Sequence, residues 1–318
     1  MPRRHAWDDF DTEPEYVSQN LIHLPVTPPA SPENPSADLS GLSEEFVFDF
    51  TSYDDPDEVT QRWSTWYDVD PLCRGPEPRP DWLVTSRGAI DTELGILKTG
   101  KEADVFLIER ADPLEPERGV VMAAKRYRST EHRTFHRAAS YTEGRSMKRS
   151  RDVRALKRKS TFGRLVAATE WAVSEWDALK RWHGLGLPVP YPVQVDDQEI
   201  LMEWITVETD TGVDTAPRLA QTRPEPELLR DYFEQLQEVL LTSTQAGIVH
   251  GDLSPYNILA AGPRLVIIDL PQVVDLVGNP NGMDYLLRDC ANVCSWFRAR
   301  GLEVDEHELF GDLMSHAF

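Results

Sequence analysis

Three polar residues have the types and the spacing to do chemistry together. His250 to Leu259 reads H-G-D-L-S-P-Y-N-I-L, and the apolar run Leu265-Val-Ile-Ile leads into Asp269. Asp252 and Asn257 stand five positions apart on a polar loop between hydrophobic segments, and Asp269 ends a strand-like run. Two carboxylates and an amide in this order suit phosphoryl transfer. One carboxylate faces the nucleophilic hydroxyl, while a carboxylate and an amide oxygen hold magnesium against the phosphates. The plainer alternative is that Asp252 and Asn257 cap a turn, the usual work of such residues in loops.

These residues need elements to hold them, and the chain is long enough to supply two lobes. At 318 residues it exceeds the usual single-domain size. The net charge of −21 argues against specific or nonspecific DNA binding by the chain as a whole. That average hides a split. Residues 1–70 hold 16 Asp/Glu against three Arg, whereas residues 125–165 hold 14 Lys/Arg against three Asp/Glu. Cys73, Cys290 and Cys294 are an odd count with no CxxC pair, which argues against a disulfide framework, and Cys290 and Cys294, four apart, read as core residues rather than a zinc site. No apolar run reaches the roughly 18 residues of a membrane span, and Met1-Pro-Arg-Arg precedes no signal-like segment, so a cytoplasmic protein is expected.

Residues 1–80 are expected to be an acidic, Pro-rich, largely disordered tail. Val26-Thr-Pro-Pro-Ala-Ser-Pro and Arg74-Gly-Pro-Glu-Pro-Arg-Pro read as linkers, and the region has too little apolar surface to offset ordering its backbone. Its aromatic pieces, Phe46-Val-Phe-Asp-Phe, Trp63 and Trp66, either stay loose or dock on the folded part or on a partner. From Trp82 the pattern becomes globular. Ile96 to Ile108 reads as strand, polar turn, strand, and Val120 to Tyr127 as a further strand. Thr169 to His183 reads as an amphipathic helix with Trp171, Val173, Trp176, Leu179 and Trp182 inward. Ile200 to Ile205 is a short buried strand, and residues 227–245 and 283–300 are helices. Strands plus one helix, then mainly helices, is an α+β order.

Two more pieces carry chemistry. Thr99-Gly-Lys-Glu-Ala-Asp-Val105 joins two strands, and Gly100 would let backbone amides approach phosphate oxygens; a plain hairpin turn is the alternative. Lys125 ends Met122-Ala-Ala-Lys, similar to the V-A-I-K strand whose lysine contacts nucleotide phosphates. A lysine near a buried strand end needs a counter-charge, and Glu175 on the following helix is the natural partner; a solvated helix charge is the alternative. The Asp252–Asn257 spacing matches the H-R-D-x-x-x-x-N loop of protein kinases. Glu203 and Ile205 then fall where a kinase hinge would be, with backbone groups expected to read an adenine edge; Met202 is either beside them or ordinary core.

T-G-K-E-A-D-V, A-A-K, H-G-D-L-S-P-Y-N-I-L and I-I-D together resemble the RIO family of atypical serine/threonine kinases, over roughly residues 82–318. The resemblance implies a reduced two-lobed kinase fold, with residues 81–202 as the small lobe and 203–318 as the large lobe. It implies ATP with magnesium, or manganese in its place. Asp252 is then the catalytic carboxylate and Asn257 and Asp269 are the metal ligands. Lys125 holds the phosphates, and Thr99, Gly100, Lys101, Glu102, Ala103 and Val105 cover them. In some members the metal-binding aspartate, here Asp269, is itself transiently phosphorylated. Absence of an A-P-E signature and Leu270-Pro271 in place of Phe-Gly fit the same family, while Pro255 departs from the acidic residue usual there.

The basic stretch 128–165 takes the place of a flexible family loop. It is either a solvated loop neutralised by the acidic tail or a surface for an acidic or RNA-containing partner. Ser129, Ser140, Ser146, Ser150 and Ser160 are candidate self-phosphorylation sites. Kinase activity, an ATP-driven conformational switch and a non-catalytic kinase-fold module remain as readings, with a small-molecule kinase disfavoured by the T-G-K-E-A-D-V turn.

Overall fold

The computed structural model describes residues 60–128, 161–210 and 212–317. The expectations for the tail up to residue 59, for the basic stretch 129–160 and for its five serines lie outside these residues.

The small lobe is one six-stranded antiparallel sheet. Its strands are β1 (Gln61–Trp63), β2 (Ile90–Thr99), β3 (Ala103–Asp112), β4 (Glu115–Tyr127), β5 (Pro192–Asp196) and β6 (Glu199–Glu203). They lie side by side in the order β1-β2-β3-β4-β6-β5. Alternation along β4 divides its residues between the two faces. Met122 and Ala124 join Trp66, Ile108, Val193 and Leu201 in an apolar cluster on one face, which leaves Lys125 on the other. Between β4 and β5 runs helix α1 (Thr161–Gly184), longer at its start than the helix expected from Thr169. Its inward stripe is Ala172, Trp176, Leu179 and Trp182, all buried. Val173, expected inward, is 44% exposed, because it lies about 100° round the helix from Ala172, outside the arc of that stripe.

The expected tail over 1–80 is shorter among the described residues, since the chain joins the sheet at Gln61. The charge that suggested disorder is used inside the fold. Arg62 pairs with Glu199, and Thr65 accepts a 2.8 Å bond from Gln194. Gln194 in turn accepts from Arg110, which grips Asp91 through two bonds of 2.6 and 2.8 Å. Arg110, Asp91 and Gln194 are all buried, so each polar group is matched by a partner.

A connection through β7 (Thr206–Thr209) and β8 (Gly212–Thr215) leads to the large lobe. That lobe holds α2 (Pro226–Gln245), the short strands β9 (Ile248–Val249), β10 (Ile258–Ala261), β11 (Arg264–Ile267) and β12 (Val274–Asp275), then α3 (Gly282–Arg298) and α4 (Glu306–His316). Leu229, Leu236 and Leu240 of α2, Leu286, Val293 and Phe297 of α3, and Leu309 and Leu313 of α4 meet in one core. The same core holds Cys290 and Cys294, while Cys73 is half-buried; all three thiols are free. No helix among the described residues is long and apolar enough to cross a membrane.

Candidate active site

Two small ladders in the large lobe hold the chemistry-bearing residues. β10 pairs with β11 antiparallel, Ile258 opposite Ile267, across a tight turn in which Gly262 takes φ +64°, a conformation glycine adopts freely. The open end of this hairpin therefore brings Asn257 and Asp269 together, and the Ile268 N–H donates to the Asn257 carbonyl at 2.9 Å. β9 pairs with β12, Val249 opposite Val274. The stretch from His250 to Asn257 is thus strung between two strands, and so is the stretch from Ile268 to Val273.

Within the first stretch, Pro255 to Asn257 forms one 3-10 turn, which Pro255 suits because it needs no N–H donor at the start. The Asn257 Nδ2 donates to the Asp252 carbonyl at 2.9 Å, which leaves Oδ1 as the atom able to bind a cation. His250 is buried, edge-on to Trp182, with Nδ1 accepting the Asp252 N–H at 3.3 Å. Burial pushes its pKa down to about 4, so at neutral pH it is an uncharged support for the loop.

Asp289 of α3 lies below the loop. Its Oδ2 accepts the Gly251 N–H at 2.8 Å and its Oδ1 the Leu253 N–H at 2.9 Å. Burial raises its pKa to about 7, against the pull of those two donors. Arg288 bonds the Gly251 carbonyl, and Asn292 donates to the Leu253 carbonyl at 3.0 Å. Sequence reasoning missed all three. The signal was present for Asp289, which falls in the apolar stripe of Leu286, Val293 and Phe297 where a carboxylate needs a reason to be.

The second stretch carries Asp269 at φ +67°, a left-handed conformation costly for a residue with a side chain. Its carboxylate is 46% exposed and meets the Lys125 Nζ at 2.6 Å. Lys125 also meets the Glu175 Oε1 at 2.7 Å, where the glutamate side chain is only 3% exposed. The same Oε1 accepts the Leu270 N–H at 3.2 Å, and the Tyr127 hydroxyl donates to Oε2. Burial works against the Lys125 ammonium, but the charges of Asp269 and then Glu175 outweigh it and hold its pKa above the ordinary lysine value. Burial also disfavours the Asp269 carboxylate, and Lys125 reverses this, lowering its pKa. Tyr127, another residue that sequence reasoning missed, is kept firmly protonated by burial and by Glu175.

Lys125, Glu175 and Asp269 are thus joined directly, and Asp269 is joined to Asn257 and Asp252 through backbone and side-chain bonds. The turn from Thr99 to Val105 lies between β2 and β3. There the Gly100 N–H donates to the Ala103 carbonyl at 3.0 Å, and a Cβ on Gly100 would come within 2.7 Å of that same oxygen. Lys101 and Glu102 are exposed at its tip, and the Glu102 carbonyl accepts the Arg128 N–H at 2.9 Å. On β6, Met202 lies opposite Ala123 and Glu203 opposite Met122, beside the strand that carries Lys125. Ile205 turns its side chain into a small cluster with Ala216, Ala261 and Val266.

The donors here are oxygens: the half-exposed carboxylate of Asp269, already paired with Lys125, and the amide oxygen of Asn257. Among the described residues no three His, Cys, Asp or Glu side chains cluster as a self-sufficient metal cage. Such a set fits magnesium, which takes one or two protein ligands and completes its shell with phosphates and water.

A family model described as the RIO domain matches residues 114–309. The chain is 34% identical over 234 residues to the RIO-type serine/threonine-protein kinase Rio1 of Haloferax volcanii, covering 72% of this chain and 71% of that protein. It is 28% identical over 234 residues to the serine/threonine-protein kinase RIO3 of Mus musculus, where the match spans 43% of the relative's length. Among solved structures, the Rio2 kinase of Chaetomium thermophilum in an ADP/Mg2+-phosphoaspartate complex aligns with a TM-score of 0.50 at 24% identity, over 70% of this chain and 60% of that one. Fold and site together define a reduced two-lobed protein-kinase architecture. Within it, the chain belongs to the RIO family of serine/threonine protein kinases.

Proposed function

We propose that the chain transfers the γ-phosphoryl group of ATP, with magnesium, to serine or threonine hydroxyls of proteins, itself included. The observation that carries this reading is the bridge in which Lys125 touches Glu175 of the small lobe and Asp269 of the large lobe at once. It places a fixed cation beside a partly exposed carboxylate, at the edge of the loop that holds Asp252. In this reading Lys125, held by Glu175, binds the phosphates, and Thr99, Gly100, Lys101, Glu102, Ala103 and Val105 cover them. Backbone groups of Met202, Glu203 and Ile205 meet the adenine, and Asn257 and Asp269 hold the metal, which neutralises phosphate charge. Asp252 orients the incoming hydroxyl and takes its proton. The protein positions and neutralises rather than forming bonds of its own, which is how phosphoryl transfer is generally catalysed.

A second reading rests on the Asp269 carboxylate and its exposure to the cleft. Its oxygen attacks the γ-phosphorus, ADP leaves, and water later splits the acyl phosphate, giving an ATPase cycle. The solved Rio2 kinase named above is described with a phosphoaspartate.

The pure chain, incubated with labelled ATP and magnesium, separates the two. Label on serine or threonine survives acid, whereas label on Asp269 is released by hydroxylamine and turns over to free phosphate. Asp252→Asn should still bind nucleotide while losing roughly 10²- to 10⁴-fold in transfer to hydroxyls. Near-full transfer by that variant would remove Asp252 from its role.

A further inference from the structure

The segment 60–76 crosses the face of the small-lobe sheet opposite Lys125 and ends on the helix that carries Glu175. It is fastened along its length. β1 pairs with β2, Trp66 is buried against Met122 and Leu201, and Thr65 receives Gln194 of β5. The Gly75 N–H donates to the Val193 carbonyl at 2.8 Å, and the Tyr191 hydroxyl donates to the Pro76 carbonyl at 2.8 Å. Arg74 donates to the Val69 and Tyr67 carbonyls at 2.9 and 3.2 Å, which folds the middle of the segment back on itself. At the crossing point the Leu72 carbonyl accepts two bonds from α1, from the Trp176 Nε1 at 3.3 Å and the Lys180 Nζ at 3.0 Å.

Trp176 follows Glu175 directly, so their side chains leave the helix about 100° apart, and Lys180 lies one turn beyond Trp176 on the same side. Glu175 is held by Lys125, Tyr127 and the Leu270 N–H on one side. The strap holds Trp176 and Lys180 on the other. A helix tied on two sides cannot roll about its own axis without breaking one set of bonds. We propose that the 60–76 strap is a positioning element that fixes the rotation of α1, and with it the Glu175 carboxylate, through Trp176 and Lys180. The consequence for phosphate binding rests on the kinase reading above; the mechanical claim does not.

The test uses the full chain with the double variant Trp176→Phe, Lys180→Met, which keeps the ring and the aliphatic stem but removes both donors to Leu72. The first readout is hydrogen exchange of the Leu270 amide, whose bond to Glu175 reports where that carboxylate sits. Exchange should quicken about tenfold in the double variant. KM for ATP should rise about tenfold with kcat changed far less, as expected for loss of phosphate binding rather than of the transfer step. Trp176→Phe with Lys180→Arg, which returns a donor to the carbonyl, should recover most of both. Leu236→Ala in the large-lobe core serves as the control for general loss of stability and should leave the Leu270 amide and the KM in place. The proposal is overturned if Leu270 exchange is unchanged in the double variant, or if Leu236→Ala reproduces both effects. Should no form of the chain transfer phosphate, the kinase reading falls, and the Leu270 amide alone still decides whether the strap sets Glu175.

Discussion

The carboxylate of Asp289 and the backbone around Asp252 are locked together: Asp289 accepts the N–H immediately before and the N–H immediately after the residue proposed to meet the substrate hydroxyl. Asp289→Asn keeps the size but presents an NH2 to one of those two donors. An unmatched buried donor costs about 1–3 kcal/mol. A shift of Asp252 by a fraction of an ångström should lower kcat by roughly 10- to 100-fold while nucleotide affinity stays near wild type. Paired measurement of kcat and of the Kd for ADP checks this, and an unchanged kcat would show that the loop is held by other bonds.

Lys125→Met leaves the nearly buried Glu175 and the Asp269 carboxylate without their shared cation. Removing one member of such a pair should destabilise the fold by about 3 kcal/mol, read from urea unfolding. The double variant Lys125→Met, Glu175→Gln should recover part of this, because the remaining amide still accepts the Leu270 N–H. Strict additivity of the two losses would mean that the pair is not coupled.

The Thr99–Val105 turn gives a third expectation. Gly100→Ala sets a methyl group against the Ala103 carbonyl, a contact of 2.7 Å that only backbone movement relieves. The cost should be on the order of 1 kcal/mol and fall on nucleotide affinity if this turn covers phosphates. Equal affinities in the variant and the parent, by calorimetry with ADP and magnesium, would free the turn from that role.

Two buried groups, one at the start of the loop and one below it, pull stability in opposite directions with pH. His250 has its pKa depressed to about 4, so the unfolded chain binds more protons between there and pH 6.5. Its contribution is present above pH 6.5 and is lost as pH falls towards 4. Asp289 has its pKa raised to about 7, so its contribution is present at low pH and is lost as pH rises through 7. At about 1.4 kcal/mol per unit, the ceiling is about 3 kcal/mol for His250 and about 4 kcal/mol for Asp289, with opposite slopes that together should flatten the profile. Asp289→Asn should then unfold more readily as pH drops from 6.5 to 4, and His250→Gln more readily as pH climbs towards 7. Parallel profiles for the two variants would contradict both assignments.

The parts of this architecture visible in the amino-acid sequence were those with local signatures. H-G-D-L-S-P-Y-N-I-L, A-A-K and T-G-K-E-A-D-V each occupy a few consecutive residues, and the helices 227–245 and 283–300 have clear apolar spacing. The missed contributions are long-range. Asp289 reaches Gly251 across 38 positions and Tyr127 reaches Glu175 across 48, and no short pattern announces such pairs. The region 60–80 departs from the expected tail for a related reason. Its arginines and acids count as solvated by composition, yet Arg62 pairs with Glu199, more than a hundred positions later, to close a ladder of matched charges. Charge that is paired across the fold looks the same in composition as charge left in water.

The three cysteines have a practical consequence. Cys290 and Cys294 are fully buried, and burial lifts their thiols to about 12 and about 11, so neither offers thiolate to a reagent. Cys73 alone reaches the surface, and it sits next to Leu72, where the chain meets α1. The unmodified protein therefore comes with a single natural attachment point for a fluorophore or spin probe, beside the helix whose motion one would most want to watch.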